Sequence, residues 1–151
     1  MNLLQTISLV VHVISGVVGV IAAYAILIEI LRRQPEIKKI LTRSILSLVG
    51  YLLSWVSGGY YYLTYYGSKV KPVILAGQYP WAHQFMTELK EHMFLFLPFL
   101  ALAATLTIWL MGERLHNHPK LKTSTAMLVG VVVTLGSLMA LMGVAISGAV
   151  R

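Results

Sequence analysis

Four long apolar stretches, separated by short polar segments, make up most of the chain. They cover about residues 3–28, 45–66, 85–111 and 126–150. An α-helix rises about 1.5 Å per residue, so each stretch is long enough to cross roughly 30 Å of hydrocarbon. Because a bilayer core offers no water to unpaired backbone groups, stretches of this length cross it as helices. The pattern therefore predicts an all-α integral membrane protein, with residues 1–151 in one transmembrane domain.

The composition agrees with this prediction. Of 151 residues, 58% are hydrophobic and only 11% are charged, whereas a soluble domain carries about 25% charged residues. The net charge of +7 would suit nucleic acid, but the basic residues cluster at the ends of the apolar stretches, where they contact lipid headgroups. We therefore expect a lipid bilayer, and no nucleic acid, as a partner. The absence of cysteine excludes disulfides, cysteine-ligated iron–sulfur clusters and covalently attached haem.

The basic residues also indicate the orientation. Segments 29–44 and 112–125 hold eight of the 12 Lys and Arg residues, and the opposite side holds four. By the positive-inside rule both termini then lie outside, which for a bacterial inner (plasma) membrane is the periplasm. The short connections favour an up-down-up-down four-helix bundle. In the last span, small residues that allow close helix packing recur at Gly136, Ala140, Gly143 and Ser147.

Two histidines lie at a similar depth in different spans. His12 is a few turns inside the first span, and His92 is near the outer end of the third. An ionisable side chain inside a membrane is a candidate functional residue. In a simple bundle the first and third helices can be diagonal, so the two imidazoles can face each other and fill both axial positions of a haem iron. The alternative for His12 is a hydrogen bond across the bundle.

Residues near these histidines offer surfaces for a flat ring. Gly16 lies one turn from His12, and Gly58 lies in the outer half of the second span, close to the aromatic run that includes Tyr62. Glycine lets a planar group approach the backbone, and tyrosine rings can border a haem or a quinone. The aromatic run is equally typical of the belt that anchors a span at the membrane interface.

The stretch WAHQFMTELKEHMFLFLP, residues 81–98, carries further candidates for a metal site. Glu88 is one turn before His92 on the same helical face. Glu88 and His92, with His12 as the third ligand, can hold a single Zn, Cu or Fe ion instead of a haem. The alternative for Glu88 is a solvated helix start, where acidic residues complement the positive end of the helix dipole.

The helical face that carries His92 continues through Phe96 and Phe99, and we expect this face to turn inward. His83 lies nine residues before His92, which places it on the opposite side of a continuous α-helix. It is therefore a weaker candidate ligand and is more typical of an interfacial anchor. Lys90 is expected to meet headgroups and water.

This arrangement resembles the broad class of small four-helix membrane b-type cytochromes. The resemblance covers the four spans and the two histidines, His12 and His92. It implies one b-type haem near the outer face, with these histidines as its axial ligands, and a function in electron transfer. The inner halves of the spans hold no histidine, so a second haem is not expected.

We therefore predict a membrane electron-transfer protein that exchanges electrons between quinol and a periplasmic or partner-protein acceptor. It would act as a quinol-linked oxidoreductase or as a subunit of one. The alternative is an accessory or assembly subunit of a larger membrane complex or homo-oligomer, with or without a single transition-metal ion at the outer His/Glu cluster. A transporter is disfavoured because the four spans show no internal repeat.

Overall fold

The structure, a computed structural model, describes residues 1–150, and helices account for nearly all of them. The α-helices are α1 (Leu3–Leu31), α2 (Ile37–Tyr61), α3 (Lys71–Ala76), α4 (Glu88–Met111) and α5 (Pro119–Gly148). Two π-helical segments, Tyr62–Val70 and Ala82–Thr87, join α2 to α3 and lead into α4, and a 3-10 segment, Gly112–His116, follows α4. Four helical stretches are long and apolar enough to cross a membrane. The predicted all-α protein with four candidate spans is confirmed.

Two of these helical stretches extend well beyond the predicted spans. The second runs from Ile37 to Ala76 without a break, and the third runs from Ala82 to His116. The segment between the second and third apolar stretches is therefore mostly helical, and its connection is limited to residues 77–81. The segment is held by a small second core of buried side chains: Tyr66, Ile74, Ala82 and Ile146.

The two ends of the bundle differ. Gln5, near the start of α1, donates its side-chain amide to the carbonyl oxygen of Thr64, and the end of α5 packs into the second core. The start of α1 and the end of α5 therefore lie beside residues 62–87, which we call the terminal hairpin. We call this end of the bundle the terminal end. The opposite end, the loop end, carries the connections 32–36 and 112–118.

The four long helices form a closed ring of contacts. α1 packs against α2 and α5, and α4 packs against the same two helices. The α1–α2 contact is the most extensive and depends on small residues. Ser47 donates its hydroxyl to the carbonyl oxygen of Gly19 at 2.9 Å, and a methyl group added to Gly50 would lie within 3.0 Å of backbone atoms of α1. Small residues permit this approach in a membrane, where close packing and hydrogen bonds drive helix association.

Of the four small residues predicted to allow close packing of α5, two lie against neighbouring helices and two are exposed. A methyl group added to Gly136 would overlap the hydroxyl of Tyr51, which shows how closely α2 and α5 approach there. A methyl group added to Gly143 would lie 3.2 Å from Nζ of Lys90 on α4. Ala140 and Ser147 are exposed, so the stripe divides between a packed face and an outward face.

The loop end is held by a buried carboxylate. Glu29 is only 1% exposed, and its oxygens accept from Arg43 at 3.0 Å and from Arg32 at 3.2 Å. Arg43 also donates to the carbonyl oxygen of Ala25 at 3.1 Å. A buried charge with two cationic partners and good geometry avoids the large cost of an unpaired ion, so this cluster fixes the end of α1 against the start of α2.

Candidate functional site

His12 is fixed in the contact between α1 and α2. Its Nδ1 lies 2.8 Å from the carbonyl oxygen of Ser54, and the Ser54 hydroxyl donates back to the carbonyl oxygen of His12 at 3.0 Å. A carbonyl oxygen only accepts, so Nδ1 carries the proton and donates it. Nε2 is left without a protein hydrogen-bond partner among residues 1–150. The hydrogen bond across the bundle, one of the two interpretations of this residue, is present in the structure.

The glycines expected to face a planar cofactor face protein groups instead. A methyl group added to Gly58 would overlap the His12 ring, and one added to Gly16 would lie 3.0 Å from the Ser54 hydroxyl oxygen. Tyr62 stacks on Tyr66, with 5.2 Å between the ring centroids. These flat surfaces are therefore used in packing the protein against itself.

His92 lies on the outside of α4. It is exposed, and its Nδ1 donates to the carbonyl oxygen of Glu88, one turn earlier, at 2.7 Å. Glu88 is exposed as well. The face that continues from His92 also points outward, since Phe96 is 64% exposed and Phe99 is 63% exposed. The structure places this face outside the bundle, whereas the sequence predicted that it would turn inward.

The physical reason for this difference lies in the composition of α4. The helix is apolar on every side beyond its first turns, so hydrophobicity does not select the face that packs inward. The buried positions include the small residues Ala101 and Ala104 together with Leu97. In a membrane, small residues select the packing face because they let helices approach closely, and this places His92 on the other side.

The predicted cofactor sites can be tested against this geometry. His12 packs between α1 and α2, whereas His92 is exposed on α4, so the structure does not bring them together in one pocket. Within residues 1–150, no group of three or more His, Asp or Glu side chains is placed to hold a metal ion. The described residues therefore form no three-ligand ion site that includes both histidines and Glu88. Binding of haem, a metal ion or a quinone stays a prediction.

A buried polar chain in the terminal hairpin was not anticipated from the sequence. Thr87 donates its hydroxyl to the carbonyl oxygen of Ala82 at 3.0 Å, so its oxygen accepts from the hydroxyl of Tyr66 at 2.9 Å. The Tyr66 oxygen in turn accepts from Nδ1 of His83 at 3.1 Å. Each of the three donor groups donates once, and this chain of hydrogen bonds joins the two π-helical segments of the hairpin.

The local helix geometry explains why His83 was expected elsewhere. His83 is only 3% exposed, although its spacing from His92 in a regular α-helix predicted an interfacial anchor. Residues 82–87 are π-helical, and hydrogen bonds from i to i+5 place more residues in each turn than an α-helix does. The direction of each side chain before Glu88 therefore differs from the α-helical projection. In the sequence, the one indication of a polar partner for His83 is the run of tyrosines before this segment.

Lys90 and two aromatic residues add unpaired polar groups to the bundle near the terminal end. The Lys90 ammonium reaches toward Gly143 of α5. Lys90 is half-buried, where contact with headgroups and water was expected. Among residues 1–150, the hydroxyl of Tyr51 and the indole Nε1 of Trp55 are buried without a hydrogen-bond partner.

Comparison with models of protein families, with curated proteins and with solved structures found no match.

Proposed function

We propose that this chain is an accessory subunit of a larger membrane complex, and that its terminal hairpin binds a partner protein. The observation that carries the proposal is the length of the helix that supports the hairpin. The stretch from Ile37 to Ala76 has 40 residues. The 25 residues of α2 and the 6 of α3 alone rise about 46 Å at 1.5 Å per residue, which exceeds the roughly 30 Å hydrocarbon thickness of a bilayer. Part of this helix must project beyond the hydrocarbon.

Exposed apolar side chains on the hairpin support a protein partner. Leu63 is 83% exposed and Phe85 is 65% exposed, and Trp81 and Tyr79 are each a little under half exposed. On a segment that projects toward water, such side chains are costly unless another surface covers them. Aromatic residues are also the residue types most enriched at the energetic centres of protein interfaces.

The hairpin is also preorganised for binding. The hydrogen-bonded side chains of His83, Tyr66 and Thr87 are buried, and each of their donor groups in this chain has an acceptor. The second core lies beside them. A rigid surface loses little conformational freedom when a partner binds, so more of the contact energy appears as affinity.

The proposal includes the topology predicted from the sequence. An up-down-up-down bundle with both termini outside places the terminal hairpin on the periplasmic side of a bacterial inner membrane. The charge distribution supports this orientation, because the loop end carries eight of the 12 Lys and Arg residues. The partner surface would then be periplasmic or would lie at the outer membrane interface.

The test is the size of the complex after extraction from native membranes with a polymer that retains lipid. We expect the chain to migrate in a particle larger than the chain with its lipid alone. Leu63→Ala and Phe85→Ala together should release it from that particle. The matched control is Leu141→Ala, which trims a similarly exposed side chain, 67% exposed, on α5. A chain that migrates alone, or a particle that survives the paired hairpin substitutions, would contradict the proposal.

The same extracted sample tests the electron-transfer prediction. An absorption spectrum with a Soret band that disappears in both His12→Ala and His92→Ala would favour a haem protein over a scaffold. A colourless sample, even after supplementation with haem, would show that the haem prediction is wrong. Metal analysis of the sample would test for a single bound ion.

A further inference from the structure

A groove lies between α1 and α5 at the loop end of the bundle. Its volume is about 360 Å³, which lies within the range of small-molecule sites. It is lined by Leu27, Leu31, Lys122, Thr123, Ala126 and Met127. In each helix the lining residues are one turn apart, so the groove runs along the helix axes. Its inner part is apolar, and its polar residues lie at the loop end.

The polar mouth of the groove carries a positive charge that the protein does not neutralise. Lys122 donates to the carbonyl oxygen of Arg32 at 2.6 Å, and a carbonyl oxygen is a neutral acceptor. None of the salt bridges among residues 1–150 involves Lys122. Thr123, next to it, adds an exposed hydroxyl. A cation and a hydroxyl beside each other are suited to a phosphate group.

The surroundings strengthen the attraction for an anion. Segments 29–44 and 112–125 contain eight Lys and Arg residues but only three Glu residues. Glu29 and Glu36 are already paired with cations of their own segment. In addition, α5 begins at Pro119 with no side-chain cap, so its first amide groups leave partial positive charge at this end.

We propose that this groove binds an anionic glycerophospholipid. Its phosphate would contact Lys122 and Thr123, and the first part of an acyl chain would lie against Leu27, Ala126 and Met127. The arrangement of a basic mouth above apolar walls between spans matches this class of ligand. The lipid would bridge α1 and α5, and it would do so at the end of the bundle opposite the terminal hairpin, so this site is independent of the proposed partner surface.

The experiment is native mass spectrometry of the full-length protein, titrated with phosphatidylglycerol or with phosphatidylcholine of the same acyl chains. We expect tighter binding of phosphatidylglycerol. Lys122→Gln should weaken that binding roughly fivefold, the factor expected for one basic side chain near an anionic lipid. The control is Lys120→Gln, which removes an exposed charge from the same turn of α5 without touching the groove, and it should change the affinity less than twofold.

Two further variants test the apolar part of the groove. Ala126→Phe should fill it and weaken the binding of phosphatidylglycerol, and Leu31→Trp does the same from an exposed position if the first variant does not fold. Circular dichroism and thermal unfolding in phosphatidylcholine verify the fold of each variant. Unchanged affinity in a folded groove variant would overturn the proposal.

The remaining outcomes concern the source of the phosphate. Glycerol phosphate or inorganic phosphate, added at the concentration of the lipid, should not compete, because neither supplies an acyl chain. Effective competition would show a site for free anions and would overturn the assignment to a lipid. Equal affinity for the two lipids, or equal losses from Lys122→Gln and Lys120→Gln, would also overturn it.

Discussion

Replacing Gly58 by alanine tests the contact that fixes His12. A methyl group at this position would overlap Nδ1 of the imidazole and lie 2.7 Å from its Cε1, whereas ordinary contacts between such atoms are about 3.5–4.0 Å. The ring must therefore move away from α2. This movement separates Nδ1 from the carbonyl oxygen of Ser54, now 2.8 Å away.

The size of the effect follows from three contributions to the free energy of unfolding. Overpacking of a close contact costs about 1–3 kcal/mol, and the lost hydrogen bond between spans costs about 0.6 kcal/mol on average. Alanine in place of glycine favours the helix by about 1 kcal/mol. We therefore expect Gly58→Ala to destabilise the protein by about 0.6–2.6 kcal/mol.

The assay is reversible unfolding in mixed micelles, with the adjacent glycine as the control. A methyl group at Gly59 meets only the Phe94 ring at 3.9 Å, so Gly59→Ala should be neutral or slightly stabilising. In a His12→Ala background the cost of Gly58→Ala should largely disappear, because the overlapping ring is absent. Equal stabilities of the two glycine variants, or an unchanged cost without the imidazole, would refute the reasoning.

Two other substitutions test polar clusters of the structure. Tyr66→Phe should lower the free energy of unfolding by about 1–3 kcal/mol, because it leaves the buried Nδ1–H of His83 without its acceptor. Faster amide hydrogen exchange across residues 82–87 would localise the effect. Unchanged exchange would argue against hydrogen bonds that join the two π-helical segments. Arg43→Gln should destabilise the protein more than Arg32→Gln. The Arg43 side chain is 34% exposed, whereas that of Arg32 is 56% exposed, and Arg43 donates to a backbone carbonyl as well as to Glu29. Denaturant titration of both variants measures the two losses of stability, and a larger loss for Arg32→Gln would contradict this reasoning.

The sequence was a sufficient basis for predicting the spans but not for predicting the segments between them. Apolar length alone requires a helix in a bilayer, so the four membrane helices follow directly. The terminal hairpin does not follow, because Gly67, Pro72 and Gly77 are typical of a loop and hydropathy is silent about π-helical turns. Its two arms meet in a tertiary cluster, because Ile74 and Ala82 both belong to the second core.

The candidate site shows why a polar residue within a span is weak evidence for a bound cofactor, even though burying it in hydrocarbon is costly. His12 is 17 residues before Glu29, the buried carboxylate near the loop end, or about 25 Å at 1.5 Å per residue. In a hydrocarbon core of roughly 30 Å that begins near Glu29, His12 would lie inside it, but the carbonyl oxygen of Ser54 already accepts its proton. His92 is 19 residues before Met111, the last residue of α4, or about 28 Å. It would lie near the edge of such a core, where an exposed imidazole is tolerated. Both histidines can thus be accommodated without a shared ligand, and the two free Nε2 atoms alone do not require one.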